Sequence, residues 1–164
     1  MLNIAIRPAS TEDVDTLWTM LMYAAHESSL IAVQTNSDIA RYVTGWGRKG
    51  DLGVIAEQGA TAVGAAWVRL WSEDNRGYGY IADNIPELAI AVAPEVRGRG
   101  IGTALLTKIL ELVQPEFSAI CLSTRTDNPA LRLYERTGFV RVEGSEVMNR
   151  TGGGSLTMLC SFKR

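Results

Sequence analysis

Apolar residues along this chain follow two periods, and the switches between them outline its elements. "NIAIRPA" (Asn3 to Ala9) alternates and stops at a proline, which predicts a short strand. Val14, Leu17, Trp18, Leu21 and Met22 then recur at helical spacing behind Ser10 or Thr11 and a run of acidic residues. This predicts a first helix reaching about Glu27. A shorter helix is expected from Ser37 to about Thr44. Strands are expected at Leu52 to Glu57 and Thr61 to Trp71, joined by a turn around Gln58 to Ala60 as a hairpin. After the polar loop "SEDNRGYGY" comes a strand from Glu87 to Ala93, closed by Pro94. Ile101, Leu105, Ile109, Leu112 and Val113 share one helical face that ends before Pro115. "SAICLST" reads as a strand. "NPALRLYERTG" reads as a helix with Asn128 at its N-cap, Pro129 in its first turn and Gly138 at its end. "FVRVEG" and "SLTMLCSF" complete the sheet through "NRTGGG". The order β-α-α-β-β-β-α-β-α-β-β predicts one α/β domain over residues 1–164 with a mixed sheet.

Composition narrows what such a domain does. Apolar residues make up 46% and charged residues 21%, within the globular range, and the formal charge is -2. A dedicated nucleic-acid-binding domain would be strongly basic, so that class is set aside. No apolar run approaches the ~20 residues of a membrane span, and the N-terminus has no signal-peptide core. Cys121 and Cys160 both sit in apolar runs, so buried free thiols in a reducing cytoplasm are expected rather than a disulfide. His26 is the only histidine and no CxxC occurs, so no metal site is expected.

One stretch does not fit packing alone. "EVRGRGIGTALL" (Glu95 to Leu106) places three glycines and two arginines immediately before a helix. Glycine is costly to order, and it is used where a backbone must turn tightly or approach another group closely. The NTPase P-loop requires GxxxxGK[ST], but Thr103 follows Gly102 with no lysine between. The dinucleotide fingerprint GxGxxG ends on Thr103 if begun at Gly98 and on Leu105 if begun at Gly100, so it fails as well. The pattern [RQ]-x-x-G-x-[GA] is met by Arg97, Gly100 and Gly102. Backbone N–H groups at a helix start point into one concavity and carry partial positive charge, to which Arg97 and Arg99 add full charges. A tight surface turn is the alternative.

A second motif, "NPALRLYERTGF", begins 26 positions after Gly102. Together with "PELAIAVAPEVRGRGIG" it closely resembles the GNAT superfamily of acyl-CoA-dependent N-acyltransferases, and "IRPASTEDVDTL" resembles that family's first strand and helix. The resemblance implies a mostly antiparallel sheet of about six to seven strands, splayed between the fourth and fifth and flanked by about four helices. It implies that acetyl-CoA is the acyl donor. Ile90, Ala91 and Val92 would pair with its pantetheine arm, and Arg97, Gly98, Arg99, Gly100, Ile101, Gly102 and Thr103 would hold its pyrophosphate. Asn128 would touch the cofactor arm, and Tyr134 would sit beside the cofactor sulfur as the catalytic acid that protonates the departing thiolate.

Each of these roles has a plainer counterpart. Asn128 serves as a helix cap and Tyr134 as a core aromatic. Arg132 and Arg136 are expected to be solvated. Trp67 and Trp71 either pack or border the acceptor. Glu87 is the candidate base, directly or through water, against a strand-end surface carboxylate. The glutamate that some relatives carry on the following strand is missing from "AICLSTR". His26 is a further candidate from the end of helix one. The function expected is acetyl transfer to a primary amine of a small molecule, peptide or protein by direct attack, with a homodimer among the possible assemblies. A catalytically inactive acyl-CoA-binding domain is the alternative. The acceptor is expected among the first two helices and the loops Trp71 to Ile85 and Met148 to Ser155.

Overall fold

The computed structural model describes residues 3–149 and 152–162. Eight strands form one sheet: β1 (Ile4–Pro8), β2 (Leu52–Gln58), β3 (Thr61–Arg69), β4 (Glu87–Val92), β5 (Ala119–Arg125), β6 (Val140–Arg141), β7 (Val147–Met148) and β8 (Gly154–Ser161). Hydrogen bonding orders them β1-β2-β3-β4-β5-β8-β6, with β7 also on β8. The pairs β1/β2, β2/β3, β5/β8, β6/β8 and β7/β8 are antiparallel, and β4/β5 is parallel. The α-helices are α1 (Val14–Ala24), α2 (Leu30–Gln34), α3 (Ser37–Ala40), α4 (Ile101–Val113) and α5 (Leu131–Thr137). This is the mixed, mostly antiparallel architecture expected, with one more strand and one more helix. No helix among the described residues is long and apolar enough to cross a membrane.

The chain divides into two compact units. The first holds the described residues through Arg69 together with Ala89–Leu112. Its entry is fixed by a capping box: the Ser10 hydroxyl accepts from the Glu12 amide, and the Asp13 carboxylate accepts from the Ser10 amide at 2.7 Å. The first turn, Thr11–Asp13, is therefore 3-10, and α1 ends at Ala24 rather than Glu27. α1 buries Leu17, Met20 and Leu21, while α4 buries Ile101, Leu105, Leu106 and Ile109. Full burial of each such side chain contributes roughly 1.5–3 kcal/mol. Gly64 of β3 lets α4 and β4 come close, since a Cβ there would lie 2.9 Å from Leu105 Cδ1 and 3.1 Å from the Ala91 carbonyl oxygen. The expected helix from Ser37 to Thr44 is helical only to Ala40 and continues as turns.

The second unit holds Leu70–Leu88 and the described residues from Val113 onward. All seven residues of β5 pair with β8, from Ala119↔Ser161 to Arg125↔Ser155. The parallel register of β4 with β5 comprises only Glu87↔Cys121 and Leu88↔Leu122. Gly138 ends α5 in the left-handed region (φ 116°), where glycine avoids the steric penalty of a Cβ. At the other end, Asn128 is not the residue next to α5. Ala130 takes that position, and Asn128 closes a preceding turn by accepting from the Ala130 amide. β3 ends at Arg69, which leaves Trp71 in the loop. The two cysteines are free and buried, as their apolar context predicts. Of the expected connection "NRTGGG", Arg150 and Thr151 lie outside the described residues.

Candidate functional site

The glycine loop belongs to the first unit. β4 leads through a 3-10 turn at Pro94–Val96 into Arg97–Gly100, and α4 begins at Ile101. Gly98 (φ 77°) and Gly100 (φ 82°) adopt left-handed conformations that L side chains rarely take, and a Cβ on either would meet no atom within 4 Å. Their use is thus conformational, and the space beside them is open. Arg97 Nε donates to the Val92 carbonyl at 3.1 Å and ties the loop back to the strand it leaves. The Ala104 amide donates to Gly100 O, closing the first turn of α4. Ile101 is buried and roots the helix, Gly102 is half-buried, and Arg97, Arg99 and Thr103 are exposed. The first N–H groups of an α-helix lack intrahelical partners. Here they lie beside two cationic side chains, an arrangement suited to an anion. Ile90 and Val92 are half-buried on β4, with Ala91 buried between them.

Glu87, Asn128 and Tyr134 belong to the second unit. Both ends of the Asn128 amide are engaged: Oδ1 accepts from Ala130 N and Nδ2 donates to Thr124 Oγ1, each at 2.9 Å. The residue thus holds the turn between β5 and α5. Tyr134 is 6% exposed and meets Phe139 edge-on, with ring centroids 6.0 Å apart. Burial pushes its phenol up to about 12. Among the described residues none hydrogen-bonds its hydroxyl, and no buried side-chain nitrogen or oxygen lacks a partner. The hydroxyl is the polar tip of a buried ring.

Glu87 is 2% exposed, which removes the surface-carboxylate alternative. Its Oε1 accepts from the Trp71 indole at 2.9 Å and from the Gly79 amide at 3.1 Å. Its β-register partner Cys121 has a thiol pushed up by burial and by the nearby Glu87 charge, so the sulfur is held as the neutral thiol. Trp71 is thereby a partner of the candidate base rather than a strand aromatic. Trp67, in the first unit, packs in the core and donates to Tyr42 O at 2.9 Å. His26 lies exposed past the end of α1 with φ 57°, and Arg132 and Arg136 are exposed on α5. Sequence reasoning missed the bond from the loop to Glu87. The signal that could have found it was the pair Gly77 and Gly79, two glycines close together in a loop that also carries Trp71.

Comparison with known proteins follows the same lines. The family model for the acetyltransferase (GNAT) domain matches residues 49–141, more than half of the chain. The mycothiol acetyltransferase of Corynebacterium aurimucosum is 33% identical over 86 residues, covering 51% of this chain and 26% of that protein. The match thus spans about a quarter of that relative's length. The fold is similar to that of a ribosomal-protein-alanine N-acetyltransferase from Brucella melitensis, with a TM-score of 0.71 and 21% identity over 96% of this chain and 99% of that one. It is also similar to a GNAT family acetyltransferase from Elizabethkingia anophelis with acetyl-CoA bound, with a TM-score of 0.67 and 16% identity over 98% of this chain and 99% of that one.

Proposed function

Because the chain belongs to the GNAT acetyltransferase family, we propose that it transfers the acetyl group of acetyl-CoA to a primary amine by direct attack, with both substrates bound. The observation that carries this reading is the glycine loop. Two left-handed glycines with open space beside them, two exposed arginines and a helix start lie together within the matched region. In this reading the backbone of Arg97–Thr103 holds the pyrophosphate and Ile90–Val92 pair with the pantetheine arm. Asn128, already committed on both sides, has one amide hydrogen left to offer the arm.

The neutral amine attacks the thioester carbon, the carbon–sulfur bond breaks, and the amine proton passes to Glu87 directly or through water. Holding both reactants together makes a covalent enzyme intermediate unnecessary. The two thiols, which burial keeps protonated, are unsuited to form one. Tyr134 stabilises the departing thiolate. Burial pushes its phenol up to about 12, which favours the protonated hydroxyl over transfer of its proton. It therefore serves as a hydrogen-bond donor to sulfur. A reducing cytoplasm suits two free buried thiols.

The relatives do not share one acceptor: one is named for mycothiol and another for an alanine of a ribosomal protein. The test therefore starts with the donor. Acetyl-CoA should raise the melting temperature, because a ligand at 100 times its Kd stabilises the folded state by about 2.7 kcal/mol. Coenzyme A thiol should then be released in the presence of an alanine-terminated peptide, a polyamine or an amino sugar. No shift at millimolar acetyl-CoA would sink the reading. A shift without turnover on any amine would favour an acyl-CoA-binding domain.

A further inference from the structure

The loop between β3 and β4 has no helix or strand of its own, yet it is tightly held. Glu87 Oε1 receives two donors from it, the Trp71 indole and the Gly79 amide, which stand eight residues apart. Gly77 lies against this junction, since a Cβ there would sit 2.3 Å from both Glu87 Oε1 and Trp71 Nε1. Gly79 lies against the backbone of β5, since a Cβ there would come 2.8 Å from Leu122 C and 2.9 Å from Ser123 N. Both glycines are thus required by close approach. Between them Tyr78 is 52% exposed and is the side chain this junction presents. Further out the loop is braced by the Arg76 guanidinium over the Tyr80 ring and by the Tyr80 hydroxyl bonded to Asp83.

We propose that Glu87, besides receiving the amine proton, has a positioning role: its carboxylate fixes the Trp71–Ile85 loop on β5, and the loop so fixed sets the affinity for the amine acceptor. The inference rests on the acetyl-transfer reading, in which the amine proton travels to Glu87. An amine that delivers a proton there directly or through one water comes within about 6 Å of the carboxylate, given hydrogen bonds of 2.6–3.2 Å. The Trp71 indole and the Gly79 amide, at 2.9 and 3.1 Å from Oε1, then border its approach. The carboxylate that receives the proton and the loop that borders the amine share one atom, Oε1, so loss of that acceptor atom or of a donor to it loosens the loop.

Three variants of the full chain separate this from a purely catalytic Glu87. Glu87→Gln keeps a carbonyl oxygen for both donors but cannot act as a base. Trp71→Phe keeps an aromatic ring and deletes one donor. Glu87→Ala deletes the acceptor for both. Two readouts are needed. Tryptic cleavage after Arg76, under native conditions, reports loop release without reference to activity. Steady-state rates with the fastest amine of the panel report KM and kcat separately. Cleavage should accelerate at least tenfold in Glu87→Ala and severalfold in Trp71→Phe, and stay within about threefold of the parent in Glu87→Gln. The acceptor KM should rise at least fivefold in Trp71→Phe, by a larger factor than any fall in kcat, while the acetyl-CoA KM stays within about twofold. In Glu87→Gln, kcat should fall with little change in acceptor KM. If Glu87→Ala does not fold, Trp71→Phe carries the test alone. Parental cleavage and acceptor KM in Trp71→Phe, with normal acetyl transfer by the parent, overturn the anchor and leave the transfer reading standing. A parent that turns over no acetyl-CoA overturns the transfer reading and the acceptor role together, and the cleavage rates still report whether Glu87 holds the loop.

Discussion

Arg69 and Asp51 meet in a two-point ion pair, Nε to Oδ1 at 3.0 Å and Nη2 to Oδ2 at 2.7 Å, with both side chains 1% exposed. Further hydrogen bonds surround the pair. Arg69 Nη1 donates to the carbonyls of Arg41 and Thr44, and Asp51 Oδ2 accepts from the amides of Gly47 and Arg48. The pair thus ties the end of β3 to the irregular segment between α3 and β2. Removing one partner of a buried pair leaves an uncompensated charge and costs about 3–5 kcal/mol. Asp51→Ala should therefore lower the melting temperature by roughly 6–20 °C, at 2–4 °C per kcal/mol for a chain of this size. The double variant Asp51→Ala/Arg69→Met should lose less than the sum of the single losses. Additive losses in thermal melts would show that the two groups act independently.

Asp13 gives the fold a pH dependence. The Arg7 guanidinium, at 2.7 Å, holds its carboxyl below the usual carboxylate range against the opposing effect of burial, and the Ser10 amide adds to the lowering. A depressed folded-state value means that the unfolded chain takes up the proton first. The contribution is therefore complete above about pH 4, the ordinary aspartate range, and is lost as pH falls through the folded value. Asp13→Asn should be less stable than the parent at pH 7, and the gap should narrow steadily below about pH 4. Urea midpoints from pH 7 to pH 2 measure it. A gap independent of pH would assign the loss to packing.

What could be read from the chain depended on how local each determinant is. α4 was legible because Ile101, Leu105, Ile109 and Val113 repeat over several turns after a glycine loop whose order is itself a pattern. α2 was not, because "LIAVQ" is a single apolar run with no second turn to set a period; the Ser29 hydroxyl on the Ala32 amide makes it a helix. β7 is two residues long and exists through its pairing with β8. The start of α5 shifted because the Asn128 side chain closes a separate turn ahead of it. Glu87 could be named as a candidate from its place before "LAIAV". Its burial and its bond to Trp71, 16 positions earlier across an irregular loop, depend on tertiary packing that no local pattern encodes.

Gly102 separates binding from folding. It is the second residue of α4 and half-buried, without the left-handed backbone of Gly98 and Gly100. Valine there is compatible with the helix and improves its intrinsic propensity by a few tenths of a kcal/mol. It also places a branched side chain where the proposed pyrophosphate approaches the helix start. Gly102→Val should thus melt within about 2 °C of the parent and bind acetyl-CoA at least tenfold more weakly. Calorimetric titration beside a thermal melt reads both. Unchanged affinity would move the anion site away from this loop.

Tyr134→Phe tests the chemistry most directly. The substitution keeps the ring, its burial and its edge contact with Phe139, and removes only the hydroxyl at the tip. A full general acid would contribute about 10²–10⁴-fold. A phenol raised to about 12 does not readily surrender its proton to a thiolate, so the expected contribution is that of a hydrogen bond to a charged group, about 1.5–3 kcal/mol. Turnover should accordingly fall by roughly 10–150-fold, while acetyl-CoA affinity changes little. The same buried phenol has a thermodynamic signature. A raised folded-state value stabilises the fold fully below pH 10, and the contribution is lost as pH rises toward 12, because the unfolded phenol ionises first. Tyr134→Phe lacks this group, so its stability relative to the parent should improve between pH 10 and 12. Rates within about threefold of the parent, less than ~1 kcal/mol of barrier, would remove the hydroxyl from the mechanism. An altered alkaline profile with unaltered rates would leave Tyr134 as a core aromatic.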